Sequence, residues 1–172
     1  MILKSAFFGA VALIALASPA AAAGPTDPQI AHIAYTAGSL DIAAAKQALA
    51  KSHNKAVRSF AQEMVRDHKA VNDKALALVK KLKVTPEDNA TSQGLTKGAV
   101  AERAKLGKMK GAAFDREYVN NEVAYHKTVN GALESTLIPS ASNAELKSLL
   151  ETGLTLFKEH QAHAEMVAKG LK

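Results

Sequence analysis

Glu122-Val-Ala-Tyr-His126 is the stretch on which the reading of this sequence turns. On a helix, a carboxylate and an imidazole four residues apart share one face. Val119, Val129 and Leu133 turn that face inward. An ionisable pair in a buried stripe is costly without partners, so the rest of the chain has to supply them.

The stretch sits in a longer helical pattern, because Phe114, Tyr118, Val119, Tyr125, Val129, Leu133 and Leu137 recur at helical spacing. They predict a helix from 112 to the stop at Ile138-Pro139. Toward the N-terminus, Ile30, Ile33, Ala34, Ala37, Leu40, Ala44 and Ala48 predict a helix over 28–51, with Asp27 as its N-cap and Pro28 at its first position. Its small residues imply close approach to a neighbour. Ser52-His53-Asn54 is a short turn, and Val57, Phe60, Ala61, Met64, Val71, Ala75, Leu78 and Leu82 predict a second helix over 55–83, stopped by Val84-Thr-Pro86. Toward the C-terminus, Ser142-Asn-Ala-Glu145 has the capping-box pattern, and Leu146, Leu149, Leu150, Phe157, Ala164 and Val167 carry a last helix to about residue 169. Between the second and third helices, Gly94, Gly98, Gly107 and Gly111 make a long continuous helix expensive. A crossover over 87–111 with one short helix is expected there. No segment alternates as a strand. The expected fold is all-α: an up-down-up-down four-helix bundle over 28–172, following a linker at 24–27, with a short extra helix in the crossover.

The composition fits one exported domain. The chain has 172 residues, 48% of them hydrophobic, with no Cys and no Trp, enough for a single core. Residues 1–23 pass from Lys4 through an apolar run to Ser18-Pro-Ala-Ala-Ala-Ala23, the charged, apolar and small-residue regions of a secretory signal. The apolar run is shorter than the roughly 20 residues that a membrane span needs. Cleavage is expected after Ala22 or Ala23, leaving a periplasmic protein with no transmembrane segment. Of 22 basic residues only Lys4 lies in the leader, so the mature chain carries 21 basic against 16 acidic residues, a formal +5. An exported chain rarely meets nucleic acid. Lys80, Lys81 and Lys83, with Lys105, Lys108 and Lys110, therefore read as solvated faces and helix-end charges. Weak contact with anionic lipid or cell-wall polymer stays open, and any envelope partner and the oligomeric state are unspecified. The absence of Cys excludes a disulfide, a thiol nucleophile and a lipidated N-terminal cysteine, and no Gly-x-Ser-x-Gly turn is present.

Each predicted helix carries an ionisable residue inside its apolar arc: Asp41 in the first, His68 in the second, Glu122 and His126 in the third, His160 in the fourth. Asp115 lies on the same side of the third helix. If the turns at Ser52-His53 and Pro139-Ser140 share one end of the bundle, all five residues fall in a band roughly 12 Å thick at 1.5 Å per residue. Inward carboxylates and imidazoles on facing helices form the ligand set of a bundle site for iron, manganese, zinc, copper or nickel. The i, i+4 spacing of Glu122 and His126 departs from the paired Glu-x-x-His of di-iron proteins and favours a mononuclear, histidine-rich site. The competing reading is a buried ionic network that only sets helix register, with Asp41 paired to His68 and Glu122 to His160. His32 and His53 read as solvated, His163 at the arc's edge as solvated or as completing a site, Asp67 as a surface partner of Arg66 or Lys74, and Tyr118 and Tyr125 as core aromatics beside the layer whose hydroxyls are within reach of holding its ligands.

The run Phe60-Ala-Gln-Glu-Met-Val-Arg-Asp67-His68, followed by Phe114-Asp115-x-x-Tyr118, His126 and a late histidine in the last helix, resembles an exported bacterial family. This is the ferritin-like domain of unknown function 4142, whose members carry the label "predicted outer membrane protein". The likeness spans about 28–169, and its members typically have Glu where this chain has Asp41. The resemblance implies a ferritin-like four-helix fold and an envelope location, with no established activity. No β-signature supports a barrel. Three functions stay open: a periplasmic metal-binding protein serving metal handling or envelope stress tolerance, a non-catalytic envelope interaction module, and a ferroxidase or catalase-like enzyme. The missing Glu-x-x-His pairs make the third the weakest, and no catalytic residue is assigned.

Overall fold

The computed structural model describes residues 24–171, and the expected signal at 1–23 lies outside them. Five long or medium helices account for most of the chain: α1 (Asp27–Lys51), α2 (Lys55–Leu82), α3 (Ala90–Lys108), α4 (Gly111–Ala132) and α6 (Ala144–Gly170). A π-helical segment, Leu133–Leu137, and the single turn α5 (Ile138–Ser140) continue α4. Pro139 has no N–H to give to a carbonyl one turn back, and the wider π turn just before it relaxes the ladder where that bond is missing. No strand occurs among the described residues, and no helix there is long and apolar enough to cross a membrane.

Two of the expected caps are corrected. Thr26, not Asp27, is the N-cap of α1, and the side chain of Gln29 accepts the Thr26 N–H at 3.1 Å. Asn143, not Ser142, caps α6, accepting the backbone N–H groups of Glu145 and Leu146 at 2.9 and 3.0 Å. Asp27 is instead a clamp: its carboxylate accepts the N–H groups of Ser142 and Asn143 at 2.8 and 2.9 Å, tying the start of α1 to the start of α6.

That clamp also overturns the expected topology. The Glu87 N–H donates to the Pro28 carbonyl at 3.0 Å, so α2 ends where α1 and α6 begin. At the opposite end, Lys51 Nζ donates to the Gly107 carbonyl at 2.7 Å. The turns at Ser52-His53 and Pro139-Ser140 therefore lie at opposite ends, and α1, α2, α4 and α6 run up, down, down and up. The cause is α3. It is a full helix of 19 residues rather than a short one, about 28 Å long at 1.5 Å per residue, and it carries the chain back along the length of the molecule over α1. Gly94 and Gly98 each cost about 1 kcal/mol against Ala in such a helix. The Asn89 cap, which accepts from Thr91 and Ser92, and the complete burial of Leu106 offset this.

The small residues of α1 permit the close approach expected of them. A Cβ on Gly38 would stand 2.5 Å from Asn72 Oδ1, and Asn72 Nδ2 donates to the Tyr35 carbonyl and to Ser39 Oγ. The core divides into two apolar clusters. One, toward the Ser52 end, centres on Phe60, Met64, Phe114 and Tyr118; the other, toward the Pro139 end, on Ile30, Leu133, Leu146 and Leu150. The ionisable layer belongs to neither cluster.

Candidate metal centre

The five residues singled out from the sequence do meet. Asp41, His68, Glu122, His126 and His160 are all buried, none more than 4% exposed. The three imidazoles form a near-equilateral triangle, with ring centroids 5.6 Å apart for His68–His126, 5.3 Å for His68–His160 and 5.6 Å for His126–His160. One side-chain nitrogen from each lies within 4.8 Å of the others, and the same holds for one ligand atom each from Asp41, Glu122 and His126. His126 belongs to both groups and joins them into one layer.

Local backbone geometry presents these atoms. Nδ1 of His126 lies 3.0 Å from the Glu122 carbonyl one turn earlier, where it donates as an N–H. That contact places the proton on Nδ1, leaving Nε2 with a free lone pair toward Asp41 Oδ2 at 3.7 Å. Phe157 stacks on His68 at 4.7 Å with an interplanar angle of 14° and meets His126 edge-on. His68 Nε2 lies 3.4 Å from the same Asp41 oxygen.

Burial sets the protonation states. It is the main force lowering His68 well below its ordinary value and His126 to about 4, with the neighbouring imidazoles adding to the effect. His160 is also lowered by burial, against the pull of Asp67. Burial raises Asp41 to about 7, offset in part by the neighbouring Glu122 carboxyl. It raises Glu122 well above the carboxylate range, helped by the charge of Asp41. At neutral pH the site is therefore three neutral imidazoles beside two carboxyl groups that burial pushes toward the protonated form.

The expected ionic network does not form as paired. Asp41 does approach His68, but Glu122 faces Asp41 and His126 rather than His160. His160 turns to Asp67, with Nε2 3.1 Å from Oδ2. The contacts of Asp41 with the imidazoles, at 3.4 and 3.7 Å, are not hydrogen bonds. Both nitrogens of His68, Nε2 of His126 and Nδ1 of His160 have no hydrogen-bond partner. A buried polar group left without a partner costs about 1–3 kcal/mol. Each of the three imidazoles thus keeps at least one nitrogen that no protein group engages.

Two clefts reach the layer. A cavity of about 620 Å³ in the half nearer Pro139 is bordered by His68 and His126, and one of about 490 Å³ beneath α3 by Asp41 and Glu122. Tyr125 donates its hydroxyl to the Ala37 carbonyl at 3.0 Å, and Tyr118 packs against Phe60 and Phe114, the core role expected of both. Asp115 is buried but joins neither ligand group. His53 is exposed as expected, whereas His32 is half-buried, 3.8 Å from Asp88. Two readings are corrected. Asp67 pairs with Arg66 as expected, at 2.7 Å, but also with His160, and His163 is not merely solvated, since its Nδ1 lies 2.7 Å from Glu63 Oε2. The signal for both was the i, i+4 spacing of Glu63 and Asp67 opposite the i, i+3 spacing of His160 and His163.

Residues 14–167 match the family model described as "Domain of unknown function (DUF4142)". No curated protein and no solved structure matches the chain.

Proposed function

The chain belongs to the DUF4142 family, and from that premise we propose that it is an exported helical protein that holds a transition metal ion in its buried layer, serving metal handling or envelope stress tolerance. His68, His126, His160, Glu122 and Asp41 are the ligands from which the ion draws. The single observation that carries this reading is the convergence, within 4.8 Å, of one nitrogen from each of three buried imidazoles, each of which also has a nitrogen without a hydrogen-bond partner. Mixed nitrogen and oxygen donors suit iron, manganese, zinc, copper or nickel and suit calcium or magnesium poorly. The ion supplies a positive charge that the two buried carboxyls lack among their neighbours. The protein's own part is to orient His126 through the Glu122 carbonyl and His68 through the Phe157 ring. The connectivity, with one long crossover joining the second and third long helices, supports a ferritin-like arrangement of α1, α2, α4 and α6.

Purified protein is expected to retain a transition metal by elemental analysis. After chelation, adding Zn²⁺, Mn²⁺, Fe²⁺, Cu²⁺ or Ni²⁺ at 100 times its Kd is expected to stabilise the fold by about 2.7 kcal/mol, read as a rise in Tm. No retained metal and an unchanged Tm with all five ions would sink the reading. Export rests on the leader at 1–23. A mature chain beginning at Ala23 or Gly24, by intact mass of protein from the periplasmic fraction, is the expected result; an intact leader on that protein would contradict it.

A further inference from the structure

We propose a second, outer cation site formed by Glu63 and Asp67 of α2 with His160 and His163 of α6, through which ions are passed to the buried centre. The proposal rests on reading the layer as a metal centre. Glu63 and Asp67 stand one turn apart on α2, and His160 and His163 one turn apart on α6, so the two pairs face each other across one helix interface. His163 Nδ1 lies 2.7 Å from Glu63 Oε2, and His160 Nε2 lies 3.1 Å from Asp67 Oδ2. One ligand atom each from Glu63, Asp67 and His160 lies within 4.8 Å of the others. Divalent transition ions sit about 2.0–2.2 Å from imidazole nitrogen and carboxylate oxygen, so an ion can take the place of the proton between such partners with small side-chain shifts.

Exposure falls along the group in the direction a passing ion would travel. The side chains of His163 and Glu63 are 32% and 27% exposed, Asp67 16%, and His160 not at all. His160 joins the two sites, because it belongs both to this group and to the buried imidazole triangle. Its ring centroid is 5.3 Å from that of His68 and 5.6 Å from that of His126. Among the described residues, no other residue of the centre contacts a partly exposed carboxylate in this way. Arg66 grips both oxygens of Asp67, at 2.7 and 2.9 Å, from an exposed position. An arriving cation must displace this guanidinium. The outer site is therefore weaker than the inner one and releases its ion inward.

Full-length chelated protein titrated with Zn²⁺ and with Co²⁺, followed by native mass spectrometry and by stopped-flow Co²⁺ absorbance, separates the two sites. Wild type is expected to bind two ions, the second at least tenfold more weakly. Glu63→Gln with His163→Gln should bind one ion at unchanged affinity, with loading slowed fivefold or more. Arg66→Gln should tighten the second ion severalfold. His68→Gln with His126→Gln should keep only the weaker ion. Circular dichroism melting confirms that each variant is folded. A Glu63→Gln, His163→Gln protein that matches wild type in stoichiometry and loading rate overturns the outer site while leaving the buried centre standing. A His68→Gln, His126→Gln protein that still binds as wild type does removes the buried centre and, with it, the transfer role.

Discussion

His126→Leu is expected to weaken transition-metal binding at least 100-fold while leaving the metal-free protein as stable as wild type, or more so. Both signs follow from the geometry. His126 is the one residue shared by the imidazole group and the carboxylate group, so its loss splits the layer into two incomplete halves. Changing residues that merely orient a metal's ligands already costs about 10–100-fold in affinity, and removing a shared ligand costs more. In the metal-free protein the imidazole is 1% exposed, with an Nε2 that no group satisfies. Leucine is apolar and of similar volume, and it removes that penalty. Isothermal titration with Zn²⁺ and urea unfolding of the metal-free form measure the two effects. A variant that binds metal normally would show that His126 is not a ligand, and a large loss of metal-free stability would show that the layer is a structural network.

Metal binding is also expected to strengthen about tenfold per pH unit between pH 5.5 and 7 for each carboxyl proton released, and to flatten above that for Asp41. Burial holds the Asp41 carboxyl at about 7 against its ordinary 3.8, so below pH 7 an ion must displace a proton to use it. Glu122, also raised by burial, adds to the steepness. Metal-free stability behaves differently. His126 titrates at about 4 in the folded chain against an ordinary 6.5, so the unfolded chain takes up that proton first. Its contribution is complete above about 6.5 and is lost as pH falls toward 4. Asp41 has the opposite sign: its contribution is complete below 3.8 and is lost as pH rises through 7. The two slopes oppose each other between pH 4 and 7, so metal-free stability should vary far less with pH than metal affinity does. Titrations in buffers of different ionisation enthalpy count the protons directly. Affinity independent of pH from 5.5 to 7 would exclude the carboxyls as ligands.

The all-α class and nearly every long helix were legible in the spacing of apolar residues, because amphipathic helices write their buried face into the sequence. The buried layer was legible too, although the topology used to find it was wrong. Asp41, His68, the pair Glu122 and His126, and His160 each sit near the middle of their helices. A mid-helix residue keeps its height when the helix is reversed, so the band survived the change from an alternating bundle to one that runs up, down, down and up. The direction of α4 was not legible, because it depended on whether 87–111 formed a full-length helix, and glycine cost argued locally against one. Its Asn89 cap and its packing on α1 won instead.

What the sequence alone determined is which side chains are buried and at what height, since both follow from helical periodicity within single elements. Which imidazole meets which carboxylate was decided only in the tertiary structure. His160 faces Asp67 rather than Glu122, and His163 faces Glu63. Partners on different helices depend on the rotation and stagger of one helix against its neighbour. Those are set by packing across the whole core, as where Gly38 lets α2 approach α1, and no single helix carries that information.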